Sequence, residues 1–194
     1  MKRAALSVLL LASVSCGELT RQGTASSYLT VESLEAASGA ESGEFSNDLE
    51  SDVQTLVGDV PTVFADTARV TFVLNMKDPG TPESPTAPSS VNAITVDRYR
   101  VQYLRADGRN TPGVDVPYPF DGAFTVTVSQ SATALFTLVR VQAKREPPLA
   151  GIASNGTRLS TFAEITFYGH DQTGREVSTT ARIGVNFGNW GDPQ

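Results

Sequence analysis

Cysteine is almost absent: the 194 residues contain one, Cys16, together with one histidine and one tryptophan. A single thiol cannot close an intramolecular disulfide, so stability has to come from the core. His170 and Cys16 are too few soft ligands for the common transition-metal clusters. A serine–histidine–carboxylate triad would have to use His170, and no Gly-x-Ser-x-Gly elbow occurs. Neither Lys77 nor Lys144 stands three residues after a serine, which removes a Ser-x-x-Lys nucleophile. No glycine-rich phosphate loop opens a helix, and no amphipathic helix is evident. These absences point away from an enzyme, and no cofactor or metal is expected.

Positive charge is also scarce. Lysine occurs only at Lys2, Lys77 and Lys144, and the net charge is −6. Removing residues 1–15 takes two basic residues and no acid, leaving 13 basic against 21 acidic side chains, or −8. Such a surface repels phosphate backbones, so no nucleic-acid partner is expected. Long apolar runs are missing as well. The longest, Ala4 to Ala12, falls well short of the ~20 residues that a spanning helix needs.

That short run has a different meaning at the N-terminus. Lys2 and Arg3 precede it, and the small residues Ser13, Val14 and Ser15 lead up to Cys16. Basic, apolar and small segments in this order form an export signal. The cysteine at its end resembles a lipobox, where a precursor is diacylated and cut. The expected organisation is a signal peptide over 1–15, a lipidated Cys16 with a flexible tether over 16–27, and a folded domain over 28–194. Ser13 stands where lipoboxes usually carry leucine, and ordinary signal cleavage is the competing processing, giving a secreted protein. Lipidation would place the protein in the cell envelope, held to a membrane (the outer membrane favoured) through its acyl chains.

The rest of the chain is rich in Thr, Ser, Val and Gly, as in all-β proteins. Tyr28 to Val31 starts a first strand, and 48–57 is compatible with a helical turn or a strand. From Ala68 the pattern is clear: Val70, Phe72, Leu74 and Met76 alternate with Thr71, Val73, Asn75 and Lys77. Ile94 to Arg105 sets Tyr99, Val101 and Tyr103 against Arg98, Arg100 and Gln102. Ala123–Ser129 and Leu135–Ala143 form a further pair. Phe162–Tyr168 and Glu176–Phe187 close the chain as a hairpin across the turn containing His170. About seven strands spaced by turns imply an antiparallel immunoglobulin-like β-sandwich. In strand rhythm and signal the chain resembles the immunoglobulin-like domains of uncharacterised bacterial envelope lipoproteins. The resemblance implies an adhesion, scaffold or assembly role and carries no catalytic residues across.

Strand order has a geometric consequence. Connections alternate between the two ends of such a sandwich, so 34–66, 106–122 and 144–161 should cluster at the end away from the start of the first strand. Trp190 should join them. Tyr118 and Phe120 flank Pro119 in the second of these connections. Together with Trp190 they are the candidate binding residues, as anchors for an envelope protein partner or as stacking faces for sugar rings. The alternative assignment is a cover over the open end of the core.

Weaker signals lie elsewhere in the chain. Pro79, Pro82, Pro85 and Pro88 recur at the three-residue period of polyproline II, on a peptide-module ligand or a stiff solvated loop. The run Asn47–Asp52 resembles the start of a calcium loop but has Val53 where the turn needs glycine. Asn155-Gly156-Thr157 marks an exposed turn. The leading expectation is a non-enzymatic, membrane-anchored interaction or scaffold module. The alternatives are a carbohydrate-binding module and a small glycoside hydrolase with a carboxylate pair. An exposed edge strand that pairs with a partner is a further possibility.

Overall fold

The computed structural model describes residues 25–190, so the signal segment, Cys16 and residues 17–24 of the tether lie outside the described residues. The chain forms β1 (Ser27–Ala37), β2 (Asp48–Asp52), β3 (Thr55–Val57), β4 (Val60–Thr62), β5 (Asp66–Met76), β6 (Gly80–Thr81) and β7 (Ser84–Pro85). It continues through β8 (Ile94–Leu104), β9 (Phe120–Val128), β10 (Ser131–Val139), β11 (Leu159–Asp171) and β12 (Glu176–Gly188). Two helical turns, α1 (Val141–Arg145) and α2 (Ile152–Asn155), lie between β10 and β11. One sheet has the order β1-β5-β10 and the other β2-β12-β11-β8-β9, with small hairpins β3-β4 and β6-β7 beside them. Every pairing is antiparallel except β2 with β12.

The alternating pattern decides which face is buried. On β5, Ala68, Val70, Phe72 and Leu74 are buried while the residues between them are not. On β8, Tyr99, Val101 and Tyr103 point inward, and on β11 Ala163, Ile165 and Phe167 do the same. The two sheets meet through these faces. Phe72 and Phe167 pack edge to face with ring centroids 5.0 Å apart, and Phe136 meets Phe167 at 5.4 Å. Tyr99 and Tyr103 span the layers with their hydroxyls, which donate to the carbonyls of Thr137 and Leu138. Burial pushes the Tyr103 phenol far above its ordinary range, so it stays a donor.

Four details differ from the sequence-based expectation. Eight strands, not seven, make the two facing sheets, because Asp48–Asp52 is a strand parallel to β12. That also removes the calcium-loop geometry: Leu49 and Ser51 turn inward, and Asp48 accepts from the side chain of Asn186. The segments around 123–129 and 135–143 do not pair with each other: β9 joins β8, β10 joins β5, and residues 141–145 coil into α1. The prolines do not extend as polyproline II, since Gly80 pairs with Pro85 and the chain folds back as a hairpin. Ala25 and Ser27, expected within the tether, are buried.

Connections alternate between two ends. At the end where the described chain starts, the Ser27 hydroxyl donates to Asn92 O, the Gln172 side chain to Ala93 O, and Leu74 N to Gln130 O. Residues 38–65, 105–119 and 140–158 connect strands at the other, distal end.

The Phe72–Phe167 contact is the centre of the two-layer packing. Phe72→Ala should cost about 3–5 kcal/mol, read as a lower urea midpoint with an unchanged slope.

Candidate interaction surface

The distal end is organised by one internal charge pair. Asp66 begins β5 in phase with Ala68 and Val70, so strand alternation carries its carboxylate into the core. Lys144 reaches it from α1. Its Nζ donates to Asp66 Oδ1 at 2.7 Å and to the Asp52 carbonyl at 2.6 Å. The side chains are 1% and 0% exposed. Asp66 Oδ1 also accepts from Gly39 N, and Oδ2 accepts from the Ser51 hydroxyl at 2.6 Å. Burial raises the Asp66 carboxyl above its ordinary range, against the opposing pull of Lys144, Ser51 and Gly39. Withdrawing such ions from water costs several kcal/mol each, offset by close pairing together with further hydrogen bonds. Here the matching groups come from β2, β5, α1 and the turn after β1.

The same network supports the hairpin β3-β4. The Asp52 carboxylate accepts from the Thr55 hydroxyl, from Gln54 N and from Trp190 N, while its carbonyl receives Lys144. From this anchored base Val57 and Val60 face each other across Gly58-Asp59, with Gly58 at φ +62°. That backbone conformation suits glycine because it has no Cβ. Around the exposed Asp59 the tip turns apolar side chains to solvent: Val57 is 54% and Val60 63% exposed, and Leu56 is exposed beside them.

A second group lies on residues 105–119. Asp107 accepts from the Arg105 guanidinium and from the backbone and side chain of Arg109. These donors, led by Arg105, hold its carboxyl well below the ordinary range. Asn110 Oδ1 accepts from Arg105 N, and Thr111 N donates to Asp115. On this braced loop Val114 is exposed and Tyr118 is 50% exposed. The Tyr118 ring lies over Gly113, where a Cβ would come within 2.3 Å of its hydroxyl.

The three aromatic candidates therefore separate. Tyr118 is a surface ring. Phe120 is 6% exposed, packed edge to face with Tyr99 and beneath the Arg140 guanidinium, so it is a core residue and not an anchor. Trp190 follows β12 and lies under Arg158, whereas Phe120 opens β9, three strands away in the same sheet. At strand spacing that is about 14 Å, too far for one stacking platform. Cys16 lies outside the described residues.

Two grooves lie among the described residues. A cleft of about 250 Å³ beside Phe45 and Phe64 has no carboxylate in its lining. A shallow groove of about 530 Å³ between β1 and β12 has one carboxylate in its lining, Glu32. His170 is half-exposed and lies on β11, not in the turn, with Nδ1 3.2 Å from Asp97.

Sequence reasoning missed Asp66, Lys144 and the β3-β4 hairpin. Extending the Ala68–Leu74 alternation one step back would have put Asp66 inside. Nothing local in the sequence marks Lys144 as its partner, 78 residues away. No family model matches the chain, and the search of curated proteins found no match.

Lys144→Met would leave Asp66 buried with its strongest opposing charge removed, raising that carboxyl further. The neutral form is then favoured by folding, so this contribution to stability is present below the unfolded value and lost as pH rises through the folded one. The variant should lose at least about 3 kcal/mol near neutrality. The deficit should shrink as pH falls from neutrality through the raised folded value and level off near the unfolded value of about 4, in denaturant titrations across pH.

Proposed function

We propose that the protein is a non-enzymatic interaction or scaffold module of the bacterial cell envelope, tethered to a membrane through a lipid on Cys16. In this reading the domain is immunoglobulin-like. Its strands β1, β5 and β10 take the places of A, B and E, and β12, β11 and β8 those of G, F and C. It departs from the constant-type arrangement in that β9, the fourth strand in that series, joins C instead of E. The tether enters at one end, and the working surface lies at the other.

The observation that carries this reading is the apolar tip of β3-β4, displayed at the end away from the entering chain on a hydrogen-bonded base. Exposed apolar residues on a rigid support bury area at little ordering cost, which suits a protein partner. A carbohydrate platform has less support, because only Tyr118 of the three rings is well exposed.

Crosslinking and pull-down from intact envelopes should compare wild type with Cys16→Ser and with Val57→Asp/Val60→Asp. Neither valine is in the core, so the double variant should stay within about 0.5 kcal/mol of wild-type stability per site. It should nonetheless lose the envelope protein captured by wild type. Cys16→Ser should lose incorporation of labelled palmitate. A double variant that keeps every captured protein would remove the hairpin from the contact surface.

A further inference from the structure

The proposed role uses the groups around Lys144 only as a support for β3-β4. An amine and a carboxyl lie 2.7 Å apart with side-chain exposures of 1% and 0%. Each is oriented by a further group. The Asp52 carbonyl takes one proton of Nζ at 2.6 Å, and the Ser51 hydroxyl donates to the other carboxyl oxygen, Oδ2, at 2.6 Å. Gly39 N donates to Oδ1. This does more than pair two charges. It presents a nucleophile, an electrophile and a donor to the oxygen on which negative charge would develop.

We propose that Lys144 and Asp66 are the site of a self-catalysed condensation that joins their side chains by an amide bond. The step begins with transfer of a proton from the Lys144 ammonium to Asp66 Oδ1, its hydrogen-bond partner, giving a neutral amine and a carboxylic acid. The nitrogen lone pair attacks Asp66 Cγ, and the new Nζ–Cγ bond pushes an electron pair onto Oδ2. The Ser51 hydroxyl is already donating there, as a donor in an oxyanion hole does. Collapse of this intermediate breaks Cγ–Oδ1. The hydroxyl leaves with a second proton from nitrogen, so the products are one amide and one water, with no oxidant, reductant or cofactor. The Asp52 carbonyl holds the remaining N–H.

Two physical terms favour the product here, although amide formation from ions is unfavourable in open water. Fixing the partners within van der Waals reach replaces an encounter with a local rearrangement. The amide also abolishes two buried charges whose desolvation is otherwise a standing cost. Burial drives the Asp66 carboxyl toward the neutral form that the first step needs. The bond would close a loop between positions 78 residues apart. It would tie α1 to the start of β5 and give a chain with a single cysteine the covalent staple that disulfides supply elsewhere.

The test is peptide mapping of the full chain purified from expressing cells, denatured and digested with trypsin. Residues 22–69 contain no internal Lys or Arg, and 141–145 carry Lys144. The wild type should yield these two peptides joined, lighter by one water than their sum, with cleavage after Lys144 blocked. Lys144→Met and Asp66→Ala should yield no joined species. Ser51→Ala should form the bond at least about a hundredfold more slowly, seen as a reduced joined fraction in freshly synthesised, pulse-labelled protein. Separate peptides from the folded wild type, with Lys144 cleaved normally, would overturn the proposal. A joined fraction that Ser51→Ala leaves unchanged in the pulse would overturn the role given to Ser51.

Discussion

The contact between Lys144 and Asp66 links chain segments that the two sheets alone would leave as separate distal loops. Asp66 opens the central strand of the smaller sheet, and Lys144 lies in the connection between β10 and β11. The Asp52 carbonyl brings in β2, at the edge of the larger sheet, and Gly39 brings in the turn after β1. A charge pair so far from water is stable only while all its hydrogen-bonding groups are satisfied. That demand fixes four segments together. The distal segments are tied together for this reason, and β3-β4 emerges from that hydrogen-bonded base.

In the proposed role, hydrogen bonding at the base and apolar exposure at the tip belong together. A flexible loop bearing Val57 and Val60 would lose ordering entropy on contact and would invite non-specific association. The fold keeps the two properties on adjacent residues: Asp52 and Thr55 are tied down, and two to five positions later the valines face solvent. The 105–119 loop repeats the device with Asp107 between Arg105 and Arg109, and it displays Val114 and Tyr118.

Much of the sheet structure was legible because strand alternation is a local property. Val70, Phe72 and Leu74, and Tyr99, Val101 and Tyr103, declared their inward faces through a period of two, and the structure buries those faces. The division of loops between two ends followed from strand order alone. Less was legible where partner choice mattered. β9 and β10 are joined by a tight turn, yet they enter different sheets, which no local pattern announces. Asp48–Asp52 carries acids that suit a loop, and it becomes a strand because β12 offers it a free edge. Phe120 and Tyr118 are two residues apart with opposite fates, since one falls on the inner face of β9 and the other precedes the strand.

By itself the sequence determined the β class, the inward faces of the long strands, the acidic surface and the want of disulfides. Each is a matter of composition or short-range period. Only the tertiary structure decided which strands share a sheet, which of the three aromatic candidates reaches solvent, and that the lone lysine of the β10–β11 connection meets an aspartate far away in the chain. Those outcomes depend on contacts between distant segments, where the energy of a buried charge is set by neighbours that sequence spacing does not reveal.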